Sequence, residues 1–165
     1  MGQSTARGNR IYQQSDNKAV VVKASSTIPN VADPVLAEAD ANAQTAAVLV
    51  RGVEKLDVFI DVTAQTTATE LYIKFRFSDK DAPNPATVTD WGYILVDDIA
   101  SSTGISSVQE YMVKIDLDNV NGTANTNQAR RYCTRIEQIS GIWASAIVWS
   151  NGGSTTGSVT FVRHS

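Results

Sequence analysis

The stretches LDVFIDVT at residues 56–63 and ELYIKFRFS at residues 70–78 decide the fold of this 165-residue chain. In both, apolar side chains occupy every second position, which is the side-chain period of a β-strand. Both also carry the β-branched and aromatic residues that favour strands. We expect the two strands to form a hairpin and to hold the centre of the core, because each buried side chain of this size contributes about 1.5–3 kcal/mol.

The same alternation recurs along most of the remaining chain. It is found at residues 46–51, 91–96, 111–117, 132–136, 143–149 and 159–163. Asp, Asn, Gly and Pro, which favour turns, are concentrated in the intervening segments 79–85, 119–123 and 151–154, and the last of these is short enough for a hairpin. About eight strands with such connections predict an all-β fold, a single β-sandwich of jelly-roll or immunoglobulin-like type.

Residues 33–47 permit two interpretations. Asp33 followed by Pro34 is typical of a helix start, with Asp as the N-cap and Pro at the first helical position. Residues 37–44, however, alternate small apolar and polar side chains, which is the period of a strand. We expect a strand here, with the helix as the alternative.

The first 30 residues are predicted to be an extended N-terminal arm, and residues 31–165 the sandwich domain. The arm has too few apolar side chains to offset the entropy of ordering it alone. Its one apolar stretch, residues 19–22, can pair with the main sheet or add a strand to a neighbouring subunit. We expect the arm to contact a partner through Arg7, Arg10, Ile11, Tyr12, Val20 and Val22.

The charge of the chain argues against nucleic acid as the main partner. The net charge is −3, and the single local cluster of cations is Arg130, Arg131 and Arg135, which we expect on the solvated face of a strand. No apolar run approaches the roughly 20 residues of a membrane helix, so no membrane partner is expected. The first ten residues lack the apolar region of a signal peptide. We therefore expect a protein that is made and kept in the cytoplasm, or that leaves it by a route without a leader.

The inventory of reactive side chains predicts a non-enzymatic protein without a cofactor. His164 is the only histidine and Cys133 the only cysteine, and His164 lies next to the last residue. No nucleophile elbow and no phosphate-binding glycine loop occurs in the sequence. Asp57 and Asp61 share one face of a strand, where we expect them to be solvated.

A metal site is not expected either. Residues 116–122 resemble the start of a calcium loop, but the glycine is one position late, and an asparagine replaces the bidentate glutamate. A loop calcium held by Asp97, Asp98 or Asp116 stays open as an alternative.

Two tryptophans, Trp143 and Trp149, fall on one face of a predicted strand. Buried, they would fill the core or a subunit interface, and we single them out as candidate interface aromatics. Exposed, they would form a patch for stacking a sugar, together with Tyr72 or Tyr93.

The stretches at 56–63 and 70–78, together with SVTFVR at residues 158–163, carry a resemblance to a known class of proteins. With its polar arm and its richness in Thr, Ser, Asn and Ala, the chain resembles small structural proteins of tailed-bacteriophage virions, of the capsid decoration (cement) or head-tail kind. The resemblance is one of general sequence character over roughly residues 46–165, and no functional residue can be assigned from it.

The resemblance implies a role in assembly. The protein would bind the major capsid protein or neighbouring virion proteins through its arm and a sheet face, as a homo-oligomer and preferably a trimer. Its location would be the virion, after assembly in the host cytoplasm. The alternative is a carbohydrate-binding or receptor-binding β-sandwich module.

Overall fold

The computed structural model describes residues 19–65, 70–98, 107–117, 129–137 and 139–164. Within them the chain forms one α-helix, α1 (Pro34–Ala39), one short 3-10 helix (Val88–Asp90) and eleven β-strands. The strands are β1 (Ala19–Ile28), β2 (Val48–Leu49), β3 (Lys55–Gln65), β4 (Glu70–Ser78), β5 (Gly92–Tyr93), β6 (Leu95–Asp98), β7 (Ser107–Glu110), β8 (Met112–Asp116), β9 (Arg130–Ile136), β10 (Trp143–Asn151) and β11 (Thr155–His164).

Nine of these strands form two antiparallel sheets. Sheet A has the order β1-β11-β3-β9, and sheet B has the order β2-β10-β4 with β5 and β8 on the remaining side of β4. β5 pairs with one end of β4 and β8 with the other, so together they fill a single strand position. The separate β6–β7 hairpin interrupts that position.

The strand order is that of a jelly roll. If the interrupted position is counted once, the sandwich has eight positions, which read 1-8-3-6 in sheet A and 2-7-4-5 in sheet B. In an immunoglobulin-like sandwich the first strand pairs with the second, whereas here β1 pairs with β11. The predicted all-β sandwich is confirmed, and of the two types named from the sequence the observed order is the jelly roll.

The core lies between β3 and β4, as their alternation predicted. Leu56, Val58 and Ile60 of β3, and Ile73 and Phe75 of β4, are each at most 1% exposed. Small side chains of β10 and large ones of β11 complete this cluster.

The predicted β3–β4 hairpin is wrong, because the two strands belong to different sheets and face each other across the core. β3 lies between β11 and β9, while β4 lies between β10 and the β5/β8 position. The connection between β10 and β11 likewise passes from sheet B to sheet A, and Gly152 supplies a φ of +108° at that corner. A strand with one apolar face can bury that face without being hydrogen-bonded to its successor, so a short connection alone does not identify a hairpin.

Residues 34–39 fold as the helix α1, so the strand expected over residues 33–47 is wrong, and the helix alternative is confirmed for the first part of this segment. Residues 40–47 form a turn and an isolated bridge between Gln44 and Ile147. Asp33 caps α1 by accepting a hydrogen bond from the Val35 amide at 2.8 Å, and Pro34 occupies the first turn. Ala37 and Ala43 then pack on Ile147 and Trp149, on the outer side of sheet B. The small alanines permit this close packing, which their alternation alone did not indicate.

The described part of the predicted arm is an edge strand of the sandwich itself. β1 pairs with β11 from Ala19 to Ile28, and Val22 and Ile28 are 4% and 0% exposed. Residues 1–18 lie outside the described residues. The apolar stretch at 19–22 thus pairs with the main sheet, which was one of the two alternatives.

Candidate functional site

The outer surface of sheet A is the first candidate site, and we call it the A face. It consists of the outward side chains of four strands: Val21 of β1, the Asp57, Phe59 and Asp61 side chains of β3, Arg131, Cys133 and Arg135 of β9, and Thr160, Val162 and His164 of β11. Apart from Asp57, all of these side chains are partly or fully exposed. The A face is therefore open to contact.

Asp57 is the buried carboxylate of the A face, with 9% of its surface exposed. Arg135 donates to it from Nε at 2.6 Å and from Nη2 at 3.0 Å, and His164 Nε2 lies 2.8 Å from Oδ2. The hydrogen bond from Arg135 lowers the pKa of Asp57, against the opposing effect of burial. The expectation that Asp57 is solvated is wrong, because side chains from β9 and β11 cover it.

The other charges of the A face are also paired across strands. Arg131 Nε lies 3.2 Å from Asp61 Oδ1, and its guanidinium lies 4.6 Å from the centre of the Phe59 ring. Arg131 and Arg135 are exposed, as expected, but both engage carboxylates of β3. Cross-strand pairs of this kind fix the side chains before any partner arrives.

Cys133 and His164 are not arranged for nucleophilic chemistry. Cys133 is largely exposed. The incomplete hydration of its thiol, together with the charge of Asp57, raises the pKa of Cys133 and favours the thiol over the reactive thiolate. His164 is hydrogen-bonded to Asp57 on β3. Within the described ranges, no group of three or more His, Cys, Asp or Glu side chains could hold a metal ion.

The outer side of sheet B carries a second cluster, built around Lys74, which is 3% exposed. Its ammonium forms ion pairs with Glu38 of α1 and Glu110 of β7 and lies 4.0 Å from the centre of the Tyr93 ring. Burial opposes the charge, but the hydrogen bonds and charges of the two glutamates outweigh it and raise the pKa of Lys74. This Lys74 cluster ties the helix and the β6–β7 hairpin to the sheet.

Arg76, two residues along β4, is a second buried cation and is 1% exposed. Its Nε and Nη2 donate to Ser145 Oγ at 3.3 Å and 3.2 Å, and its guanidinium lies 4.5 Å from the centre of the Trp91 ring. Burial lowers its pKa. Neither Lys74 nor Arg76 was predicted from the sequence as a site residue, although two cations within a largely apolar strand are a signal that another segment covers them.

A cleft of about 450 Å³ opens beside these cations, at the end of β4. Its walls are residues 77–79, residues 89–95 and the turn at 140–141. Trp91 is 7% exposed and donates from Nε1 to the Asn84 carbonyl at 2.9 Å. The turn requires glycine, because Gly141 has a φ of +99° and a Cβ there would lie 2.6 Å from the Ser78 carbonyl oxygen.

The candidate interface aromatics are placed differently from one another. Trp149 is 2% exposed, stacks on Tyr72 at 5.2 Å between ring centres and packs under α1. It belongs to the interior of its own chain, so its assignment to a subunit interface is wrong. Trp143 is partly exposed, with its indole nitrogen buried. The burial of Trp149 also removes it as a sugar platform.

The predicted arm residues divide in the same way. Arg7, Arg10, Ile11 and Tyr12 lie outside the described residues, and their role stays a prediction. Val20 packs against the core, and Val22 belongs to it. Val22 is therefore not available to a partner, which corrects its assignment; its neighbour Val21, 63% exposed, points outward instead.

No protein-family model matches the sequence, and no curated protein matches it. Within the described part of the chain, no helix has the length and apolarity needed to cross a bilayer.

Proposed function

We propose that this chain is a non-enzymatic structural protein of a virion, which binds the capsid shell through the A face and the residues that precede β1. The observation that carries this proposal is the A face itself: an open sheet surface whose charged groups are paired in advance. It offers a broad surface for contact without a reactive group at its centre.

The pairing of charges favours burial of this surface against a partner. An unpaired charge must be compensated by the partner when water is removed, and otherwise costs several kcal/mol. On the A face, Asp57 and Asp61 already have cationic partners within the chain. Thr160, Val162 and Val21, on the neighbouring strands β11 and β1, add hydroxyl and methyl groups, which suit an interface with bridging water.

The jelly-roll order is compatible with this role, because viral capsid proteins use the same architecture. Lectins and cupins use it as well, so the fold alone does not decide the function. The proposal therefore rests on the A face, with the fold as support.

The position of the N-terminal residues agrees with the same surface. β1 is an edge strand of sheet A, and it begins at Ala19 beside Val162 of the A face. A capsid bound to this face is therefore close to the point where residues 1–18 join the sandwich. Arg7, Arg10, Ile11 and Tyr12 are the side chains that we propose make the additional contacts.

The test uses particles purified from the native source, stripped of this protein and rebound with recombinant chain. Val21→Glu adds a charge at the β1 edge of the A face, whereas Val88→Glu makes the same change at a 52% exposed site away from it. We expect V21E to weaken particle binding about tenfold or more, equivalent to about 1.4 kcal/mol, and V88E to leave it unchanged. Equal binding by both variants, or absence of the protein from the particles, would overturn the proposal.

The same assay separates the N-terminal residues from the sandwich. Removing residues 1–30 would delete β1 and expose the core contacts of Ile28, so the informative deletion is residues 1–18. We expect this shorter chain to keep its thermal unfolding midpoint and to lose particle affinity. The predicted trimer is measured on the full chain by light scattering during size-exclusion chromatography.

A further inference from the structure

We propose that the cleft at the end of β4 binds a neutral, hydroxyl-rich ligand of the size of a mono- or disaccharide. This inference does not depend on the proposed function, because the cleft belongs to sheet B and the A face to sheet A.

The cleft has the size and the fixed walls of a small-molecule site. Its volume of about 450 Å³ lies within the range of about 300–1,000 Å³ that is typical of such sites. The Trp91 indole is held by the Asn84 carbonyl, and the Ile142 amide donates to the Ser78 carbonyl at 2.7 Å. These bonds fix two of the walls before a ligand binds, so little ordering is needed on binding.

Buried cations exclude a cationic ligand from the aromatic walls. Arg76 lies 4.5 Å from the centre of the Trp91 ring, and Lys74 lies 4.0 Å from the centre of the Tyr93 ring. Each cation already occupies a face of the ring that would otherwise attract a ligand ammonium.

Carboxylates at the mouth disfavour an anionic ligand. Asp79 and Asp90 line the cleft, and Asp79 is exposed. Lys80, the nearby cation, is engaged by Asp90, whose second carboxylate oxygen accepts from the Asn84 amide at 2.9 Å. A phosphate or carboxylate would meet the charge of Asp79 without a free cation among the described lining residues.

A sugar is complementary to both the polar and the apolar side chains of the cleft. Its hydroxyl groups can donate to the Asp79 carboxylate and exchange hydrogen bonds with the Thr89 and Ser140 hydroxyls, which line the same cleft. Its apolar C–H face can pack on Leu95, which lines the cleft and is 61% exposed. The walls carry both polar and apolar side chains, which fits a ligand that is itself amphipathic.

The experiment follows the backbone amide signals of the full chain by NMR during titration. The probes are methyl α-glucoside, methyl α-mannoside, methyl β-galactoside, N-acetylglucosamine, maltose and cellobiose, with inorganic phosphate and tetramethylammonium chloride as charged probes. We expect at least one sugar to shift the amides of residues 89–95 and 140–141 in a saturable manner, while the charged probes do not.

Paired variants test the location of binding. Ser140→Trp fills the cleft, and its control is Ser25→Trp at an exposed site in β1. Asp79→Asn removes the carboxylate that would accept hydrogen bonds from the sugar, and its control is Asp81→Asn at another exposed site. We expect S140W to abolish the shifts and D79N to weaken affinity about tenfold, with both controls unchanged. The spectrum of each variant shows directly whether it is folded.

Three results would overturn the proposal. The first is that no sugar shifts the cleft amides. The second is that the shifts persist in S140W or map to another surface. The third is that phosphate or tetramethylammonium occupies the cleft instead.

Discussion

Replacing Lys74 by Met tests how much the Lys74 cluster stabilises the fold. Met keeps the apolar stem but removes the ammonium that pairs with Glu38 and Glu110. The Glu38 side chain is only 16% exposed, so its carboxylate would lose its direct cation in a largely dry site, whereas Glu110 is 45% exposed and water can solvate it. Breaking a buried pair from one side costs about 3–5 kcal/mol. We expect a loss near the lower limit, about 3 kcal/mol, because one of the two carboxylates is half exposed.

The measurement is urea and thermal unfolding of K74M, with K114M as control. A loss of about 3 kcal/mol lowers the unfolding midpoint of a chain this long by about 6–12 °C. Lys114 pairs with Glu70 but is 52% exposed, so K114M should change little. Adding Glu38→Gln to K74M should recover part of the loss. If K74M unfolds like K114M, or if the double variant loses the sum of both single effects, the cluster is not a stabilising unit.

The pKa of Lys74 adds a condition to this test. Because its folded pKa is raised above the ordinary value of 10.5, the stabilisation is complete below that pH and is lost as the pH rises through the folded pKa. The difference in unfolding free energy between the native chain and K74M should therefore be constant near neutrality and shrink only above about pH 10.5.

Three further predictions concern other parts of the sandwich. Asp57→Asn should destabilise the fold above pH 3.8, the ordinary pKa of Asp57. The difference in unfolding free energy from the native chain should vanish as the pH falls through the lowered pKa of Asp57 in the folded state. A difference that grows toward low pH would contradict the assigned ion pair. Gly157→Ala should cost about 1–3 kcal/mol in urea unfolding, because its Cβ would lie 2.6 Å from the Asp61 carbonyl oxygen, whereas Gly92→Ala meets nothing closer than 3.9 Å and should be nearly neutral. Asp33→Ala should cost about 1 kcal/mol through loss of the α1 cap, and an unchanged unfolding midpoint would show that the capping hydrogen bond is unimportant.

The inward faces of the strands were predictable because alternation specifies them. The core positions of Leu56, Val58 and Ile60 could be assigned without knowing which strands pair with β3. A shift of one residue in the register of β3 would place all three side chains in water. The outward faces were not predictable in this way. Asp57 is buried by side chains of β9 and β11, which are distant in sequence, and Lys74 is buried by α1 and the β6–β7 hairpin.

The connections between strands were not predictable from the sequence for a related reason. Residues 66–69 and 152–154 are both short enough for hairpins, yet each joins strands of different sheets. The sheet that each strand joins is determined by the pairing of β3 with β11 and of β4 with β10, and these pairs are far apart in the sequence. For the same reason the cleft could not be located from the sequence, because its walls come from three separate segments.

The place of β11 in the middle of sheet A has a consequence for biosynthesis. β1, the first described strand, has β11 as its sheet partner, and β3 takes β11 as one of its two neighbours. On the ribosome, sheet A therefore cannot close until residues 155–164 have emerged from the exit tunnel, and contacts of such long sequence separation form slowly. A nascent or truncated chain that lacks those residues presents the apolar side of β3 and an unpaired β1, so we expect it to be held by chaperones or degraded, not released as a partly folded monomer.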